Sequence, residues 1–360
     1  MIPIARPYIG NEEIESVVKV MKSGMIACGG VVKEFEEKFA SFNEVSYGVA
    51  TTSGTTAIET ALKASGINVG DKVLTTAFSF IASNNPIIKI GARPVFCDID
   101  KDTFNISPDD IEKKLNEHKD IKALLIVHLY GQSCDMRSIM RLVKEFDLIL
   151  IEDCCQSHGA RFEGKIVGSF GHAGCYSFYP TKNMTTGEGG MVVCNDEKIY
   201  QQAKMYINHG MKKRYYHEGI GFNYRMTNIA AAIGLNQLDR LDDMNNKRKE
   251  NAKYYDENIE NENVLIPFKD KDCDHVYHQY TLKIKNGKRD EFVSYLNENE
   301  IGSGIYYPLS IPEQECYKEM GFKKDYKNID VVKDEVVSIP VHPALLKEDL
   351  EKIVKVVNAF

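Results

Sequence analysis

The first pattern in this chain that could do covalent chemistry is a lysine set between an apolar run and a glycine-rich turn. In the stretch Ser177–Met191, S-F-Y-P-T-K-N-M-T-T-G-E-G-G-M, Lys182 follows a predicted strand end at Cys175–Phe178. It precedes Gly187, Gly189 and Gly190, and a second apolar run, Met191–Cys194, comes next. A lysine on such a turn leaves the strand edge and faces whatever cleft the turn lines. Partial desolvation there lowers the pKa of the amine and frees its lone pair for carbonyl chemistry. Taken alone, a solvated loop lysine is the commoner outcome, so Lys182 needs partners from elsewhere in the chain.

Four other stretches could supply them. Asp153 stands at the end of the apolar run Leu148–Ile151, in E-D-C-C-Q-S-H-G-A. Burial of an acid there demands a partner, and a cationic ring nitrogen would suit it; capping of the next turn is an equal alternative. Thr51–Ala57, T-T-S-G-T-T-A, joins a strand to a helix with free amides, hydroxyls and small residues, which suits phosphate, although plain N-capping is commoner. No G-x-G-x-x-G is present, which disfavours a dinucleotide. Gly221–Thr227, G-F-N-Y-R-M-T, offers Asn223 and Arg225 to an anion, or simply a helix entry capped by Thr227. Phe78 and Phe80 are core residues or a platform for a flat ligand. Zinc on Cys154, Cys155 and His158 is disfavoured, because adjacent cysteines do not readily face one tetrahedral ion and no C-x-x-C pair exists. His275 and His278 have only a weak metal-like spacing.

The elements that must position these residues follow from periodicity. Residues 11–24 read as a helix with Ile14, Val17, Val18 and Met21 on one face, and Val31–Phe42 as a second. Strands are predicted at Tyr47–Thr51, Lys72–Thr75, Pro94–Cys97, Ala123–Val127 and Leu148–Glu152. Helices are predicted between them at Thr55–Ala64, Ile81–Ile90, Pro108–Leu115 and Ser138–Phe146. This alternation is that of βαβ units, hence a mainly parallel sheet covered by helices, whose ligands bind beyond the carboxyl ends of the strands. Further on come a helix at Glu197–Asn208, an ordered loop at Lys212–Asn223 and one long helix from Thr227 towards Asn258. A smaller α+β part follows, with strands at Tyr280–Ile284 and near Ile305 and helices at Asp290–Asn297 and Lys347–Val357. The expected division is a large α/β domain over 1–240 and a small α+β domain over 241–360.

Composition narrows the class. The chain has 360 residues, 43% hydrophobic and 27% charged, enough for about two full cores. A net charge of −7 leaves no basic footprint for nucleic acid. No apolar run approaches a membrane span, and Met1–Gly10 lacks the layout of a secretion signal. Nine cysteines without framework spacing fit reduced thiols in a cytoplasmic protein.

Taken in order, these stretches resemble the DegT/StrS-type nucleotide-sugar aminotransferases, which use pyridoxal 5′-phosphate on the aspartate aminotransferase (type I) fold. The resemblance covers nearly the whole chain: I-P-I-A-R-P-Y-I-G, S-G-T-T-A, F-S-F-I-A-S, H-L-Y-G-Q, E-D-C-C-Q-S-H-G-A, S-F-Y-P-T-K-N, G-E-G-G, N-H-G, G-F-N-Y-R-M and S-I-P-V-H-P. It implies that Lys182 bonds the cofactor as a Schiff base, that Asp153 pairs with the ring nitrogen and that Gln156 lies near the phenolic oxygen. It further implies that Phe80 stacks on the ring and that Gly54, Thr55, Thr56 and Ser177 hold the phosphate, with Asn223 reaching it from the neighbouring subunit of a homodimer. Arg225, His209 and Tyr307 become candidate substrate contacts, and no metal is implied. Where the family has small alanine-like residues this chain has Cys154-Cys155, a change of little consequence. Glutamate is the implied donor, leaving as 2-oxoglutarate, and a nucleotide-linked keto sugar the acceptor. The R-P-Y-I-G opening and M-I-A-C-G-G at Met25–Gly30 look more like the branch that aminates C-4 of 4-keto-6-deoxyhexoses, for polysaccharide biosynthesis or an antibiotic sugar. The rivals are C-3 ketones, an inosose or another free polyol ketone, a 3-dehydratase (in which histidine replaces the lysine) and a DNA-binding regulator.

Overall fold

The computed structural model describes residues 1–322 and 325–360. The β-rich runs between Tyr47 and Cys194 assemble into one seven-stranded sheet. We number its strands β1 (Tyr47–Thr51), β2 (Lys72–Thr76), β3 (Arg93–Cys97), β4 (Ile121–Val127), β5 (Ile149–Asp153), β6 (Ala173–Ser177) and β7 (Gly190–Cys194). In space they run β1-β7-β6-β5-β4-β2-β3. Strands β3, β2, β4, β5 and β6 pair in parallel, while β7 is antiparallel to both β6 and β1. The connections dictate this. Crossovers with helical segments separate β1 to β5, whereas residues 178–189 fold straight back into β7 through Gly187, at φ 82°. Strand β7 is buried throughout and β4 nearly so, which is why they read as unbroken apolar runs.

Helix α3 (Gly54–Ala64) packs on the sheet against β6 and β7, α2 (Gly30–Phe42) packs against β1, and α1 (Asn11–Ser23) packs on the helix Asn228–Asp239. On α1 the expected core stripe is turned outward: Ile14 is 55%, Val18 41% and Met21 61% exposed. Glu13 and Val20 face inward instead. Glu13 can do so because its carboxylate is fully engaged. It accepts from Gly10 N at 2.8 Å and Gln237 Nε2 at 2.9 Å and pairs with Arg240.

Other expectations are corrected in detail. The long helix is two, Asn228–Asp239 and Leu241–Asn258, broken where Arg240 leaves helical geometry and turns to Glu12 and Glu13. Ile81–Ile90 is a 3₁₀ turn at Ile81–Ser83 and a short helix at Asn85–Lys89. The loop after Met211 contains a small ribbon, Met211–Lys213 against Tyr216–His217. No strand forms near Ile305, where Gly304 makes a single bridge to Ser338. The strand is Val336–Ile339, paired antiparallel to Tyr280–Ile284, which in turn pairs with Val264–Leu265. Helices Arg289–Glu298 and Lys347–Ala359 cover this second sheet through Phe292, Leu296, Ile353 and Val357, giving the smaller α+β part. Between Tyr306 and Val336 the chain returns to the large sheet: Ile311, Tyr317, Ile329 and Val332 enter its core, and Ile311 N donates to Ala77 O at 2.8 Å.

Adjacent acids on β5 face opposite sides of the sheet. Glu152 is wholly buried on the side away from the strand-end pocket. It accepts from Gly168 N at 2.8 Å, Phe170 N at 2.8 Å, Gly171 N at 2.7 Å and His128 Nε2 at 3.1 Å. His128 Nδ1 accepts from Cys134 N, so the ring proton lies on Nε2. Glu152→Ala would strip the partner from three amides, one buried and two part-buried; the expected loss is about 3 kcal/mol of folding stability by urea unfolding.

Candidate active site

A pocket of about 530 Å³ opens beyond the carboxyl ends of the strands. Its floor is built where α3 begins. Ser53 caps the helix reciprocally: its Oγ accepts from Thr56 N at 3.2 Å, and Thr56 Oγ1 accepts from Ser53 N at 3.0 Å. Thr56 is thereby turned to the cap, while Gly54 and Thr55 line the pocket. Gly54 lies so close to the ends of β5 and β6 that a Cβ there would stand 2.6 Å from Ser177 Cβ and 2.8 Å from Cys155 Sγ. The first amides of α3, Ser177 and the helix dipole thus form one anion-accepting cradle.

Across the pocket Asp153 has each oxygen held. Oδ2 accepts from Ser83 Oγ at 2.7 Å and Oδ1 from Cys155 N at 3.0 Å. The carboxylate is buried yet lines the pocket, with its orientation set by those two bonds. Gln156 accepts from Tyr130 N at 3.0 Å and donates Nε2 to Tyr307 OH at 3.3 Å. Tyr307 comes from the strap that returns from the small sheet, and its ring faces that of Phe80 at 6.1 Å and 28°. Burial pushes the Tyr307 phenol well above its usual range, so it stays protonated.

Lys182 lines the same pocket from the turn after β6, its N–H donating to Tyr179 O at 2.9 Å. The next residue pins that turn, Asn183 Nδ2 donating to Asn245 Oδ1 at 2.8 Å and Val276 O at 3.0 Å. Burial holds the Lys182 amine below the ordinary lysine range, an effect only partly offset by Cys155 and Asp153.

The structure therefore brings together Gly54, Thr55, Phe80, Asp153, Gln156, Ser177, Lys182 and Tyr307. It does not bring in Asn223, Arg225 or His209. Asn223 and His209 are exposed, and Arg225 donates to Asn208 Oδ1. Ser83 and Tyr306 join the site without having been singled out in the sequence. Ser83 closes the F-S-F-I-A-S stretch, which was the available signal, whereas Tyr306 arrives over a sequence distance that no local pattern reveals. His158 is buried against Tyr176 and Phe178 and pushed down to about 3 by burial and the nearby Lys182 charge. Cys154 packs in the core and Cys155 faces the pocket. His128, Glu152 and Cys154 also approach one another closely, but the His128 and Glu152 atoms are committed to their hydrogen bonds with Cys134 N and Gly168 N and with each other.

A desolvated amine facing an anchored carboxylate, with a helix N-terminus ready for phosphate, is the arrangement of pyridoxal 5′-phosphate enzymes that bind their cofactor through a lysine. The close-fitting cradle at Gly54 and the donor set around it fit that group. Residues 7–358 match the DegT/DnrJ/EryC1/StrS aminotransferase family, and the chain belongs to it; it is a pyridoxal phosphate-dependent aminotransferase. It is 38% identical to the dTDP-3-amino-3,6-dideoxy-alpha-D-galactopyranose transaminase of Aneurinibacillus thermoaerophilus, over 97% of this chain and 96% of that one. It is 37% identical to a pleiotropic regulatory protein of Geobacillus stearothermophilus, over 100% and 98%. Its fold matches DesV of S. venezuelae, solved with a ketimine intermediate, at a TM-score of 0.94 and 29% identity, over 99% and 98% of the two chains. Among the described residues no helix is long and apolar enough to cross a membrane.

The sign of the Lys182 effect is testable in the cofactor-free protein. A lowered folded pKa means that the ammonium opposes folding below that value, and that the opposition vanishes above the ordinary lysine value of about 10.4. Lys182→Met is expected to raise stability at neutral pH, with the gain shrinking as pH rises above the lowered folded value and gone above about 10.4. A pH-independent gain in urea unfolding would show that the amine is not desolvated.

Proposed function

We propose that this chain transfers an amino group from glutamate to a nucleotide-linked keto sugar, at C-4 of a 4-keto-6-deoxyhexose, as a homodimer that shares its pockets. The observation that carries the chemistry is the desolvated Lys182 set opposite Asp153, whose two oxygens are tied to Ser83 and Cys155 N. Pyridoxal phosphate, when bound, supplies an aldehyde for attachment and a ring that accepts electrons. Asp153 would hold the proton on its ring nitrogen, and Gly54, Thr55 and Ser177 would hold its phosphate. Phe80 would cover a ring face, and Gln156 would lie near the phenolic oxygen. Lys182, once free, has an amine that is unprotonated near neutral pH more often than a solvated one. It would take the proton from the carbon bearing the donor nitrogen and, in the second half of the reaction, deliver one to the sugar carbon that receives the amine. Glutamate would leave as 2-oxoglutarate with its amino group kept by the cofactor, and the sugar ketone would receive that amine by the reverse steps, its oxygen leaving as water.

The acceptor class is supported by the pocket's outer wall, where Phe80, Tyr179, Tyr306 and Tyr307 offer flat faces of the kind that pack on sugar rings. It is also supported by the nucleotide sugar in the name of the 38% identical transaminase. The opening R-P-Y-I-G and the Met25–Gly30 segment favour C-4. That relative's 3-amino product favours C-3 as the second reading. The regulatory name of the other relative is outweighed by the lysine pocket and the charge of −7. Pairing of subunits is supported by the apolar surface of Ile14, Val18 and Met21, continued by exposed Met25 and Ile26. The exposed Asn223 and the partly buried Arg225 beside it would then serve the neighbouring pocket.

Lys182→Ala is expected to lose the lysine-linked, borohydride-reducible near-ultraviolet to violet band and to lower turnover on the order of a thousandfold. Borohydride reduction and peptide mapping should place the adduct on Lys182. Mass spectrometry after incubation with glutamate and a panel of nucleotide-linked 3-keto and 4-keto sugars decides the position. Turnover of 3-ketones alone would overturn the C-4 reading.

A further inference from the structure

Segment 206–225 carries the N-H-G and G-F-N-Y-R runs, yet none of it lines the pocket. Its backbone is extended where those runs meet the sheet: Asn208 bridges Asn223, and Thr51, the last residue of β1, bridges Arg225. Successive side chains of an extended stretch point to opposite faces. Phe222 and Tyr224 therefore share one face, and Asn223 and Arg225 the other.

The first face is tied to the body of the subunit through Tyr224, while Phe222 stays 40% exposed. Glu59, buried on α3, accepts from Lys89 Nζ at 2.8 Å, Tyr206 OH at 2.7 Å and Tyr224 OH at 3.2 Å. Lys89 also donates to Tyr224 OH at 2.7 Å. Its ammonium stands 5.7 Å from the Phe222 ring centre and 5.2 Å from that of Tyr224. Those two rings stack at 5.4 Å and 19°, and Tyr206 closes edge-on against Phe222 at 5.5 Å. The one buried carboxylate is thereby answered by a cation and two phenols. The opposite face carries the exposed Asn223, and Arg225 bonded to Asn208 Oδ1.

We propose that Glu59 and Lys89 are positioning residues that hold residues 222–225 so that Asn223, with Arg225 beside it, leaves the subunit as a preformed anion-binding pair for the phosphate in a second copy's pocket. This rests on the proposal that the homodimer shares its pockets. The gain is preorganisation: a loop already ordered loses little entropy when it meets its phosphate. Glu59 lies about one and a half turns beyond the α3 N-terminus. One helix therefore both cradles its own subunit's phosphate and aims the residues given to the neighbour.

The test uses full-length cofactor-free protein titrated with pyridoxal phosphate, with the dimer monitored by sedimentation. Lys89 is half-exposed, so Lys89→Met should fold even if Glu59→Ala does not. Both Lys89→Met and Asn223→Ala are expected to raise the Kd for pyridoxal phosphate on the order of tenfold, with the dimer intact. In an Asn223→Ala background Lys89→Met should add nothing further. Full additivity would mean a merely structural role and overturns the proposal. An effect of Asn223→Ala without one of Lys89→Met overturns the clamp alone. No effect of Asn223→Ala overturns the shared pocket and the clamp with it.

Discussion

The approach of the first turn of α3 to the ends of β5 and β6, possible because Gly54 has no side chain, is the constraint on which the pocket depends. A methyl group there would collide with Ser177 and Cys155. Because it is absent, the free amides of a helix start, a serine hydroxyl from β6 and the loop after β5 all face one small volume. The capping exchange between Ser53 and Thr56 fixes where that helix begins, so the orphan amides that remain are those that point into the pocket.

The same economy governs the two acids of β5. A strand alternates faces, so Glu152 and Asp153 meet opposite environments although they are neighbours in the chain. Glu152 meets a loop of backbone amides and the His128 ring, and its work is to hold residues 168–171 against the sheet. Asp153 meets the pocket and is steered by one serine and one amide, leaving its outward side for a ligand. A buried carboxylate is tolerable in both places because its hydrogen bonds replace water. Lys182 lacks such replacement, and the resulting bias towards the neutral amine is the property a carbonyl-binding lysine requires.

The outer surfaces obey a related logic. Apolar side chains on α1 face solvent because Glu13, bonded to Gly10, Gln237 and Arg240, occupies the inward position. Asn223 faces outward because Phe222 and Tyr224 are taken by Glu59 and Lys89. In both cases a buried polar network decides which residues of the stretch stay at the surface.

Much of this was legible in the residue order. The strands β1 to β5, the crossover helices, the lysine turn and the acid at a strand end all follow from local periodicity and turn chemistry, which act over a few residues. Eight of the proposed contacts, from Gly54 to Tyr307, do line one pocket. What local pattern could not show was any choice made by contacts distant in sequence. Examples are the antiparallel β7, the outward turn of α1, the break at Arg240, the strand at Val336–Ile339 and the meeting of Ser83 with Asp153. Composition and spacing determined which groups were available. Tertiary structure decided which were desolvated and which were tied, because burial and hydrogen-bond partnership belong to the packed chain and to no single stretch of it.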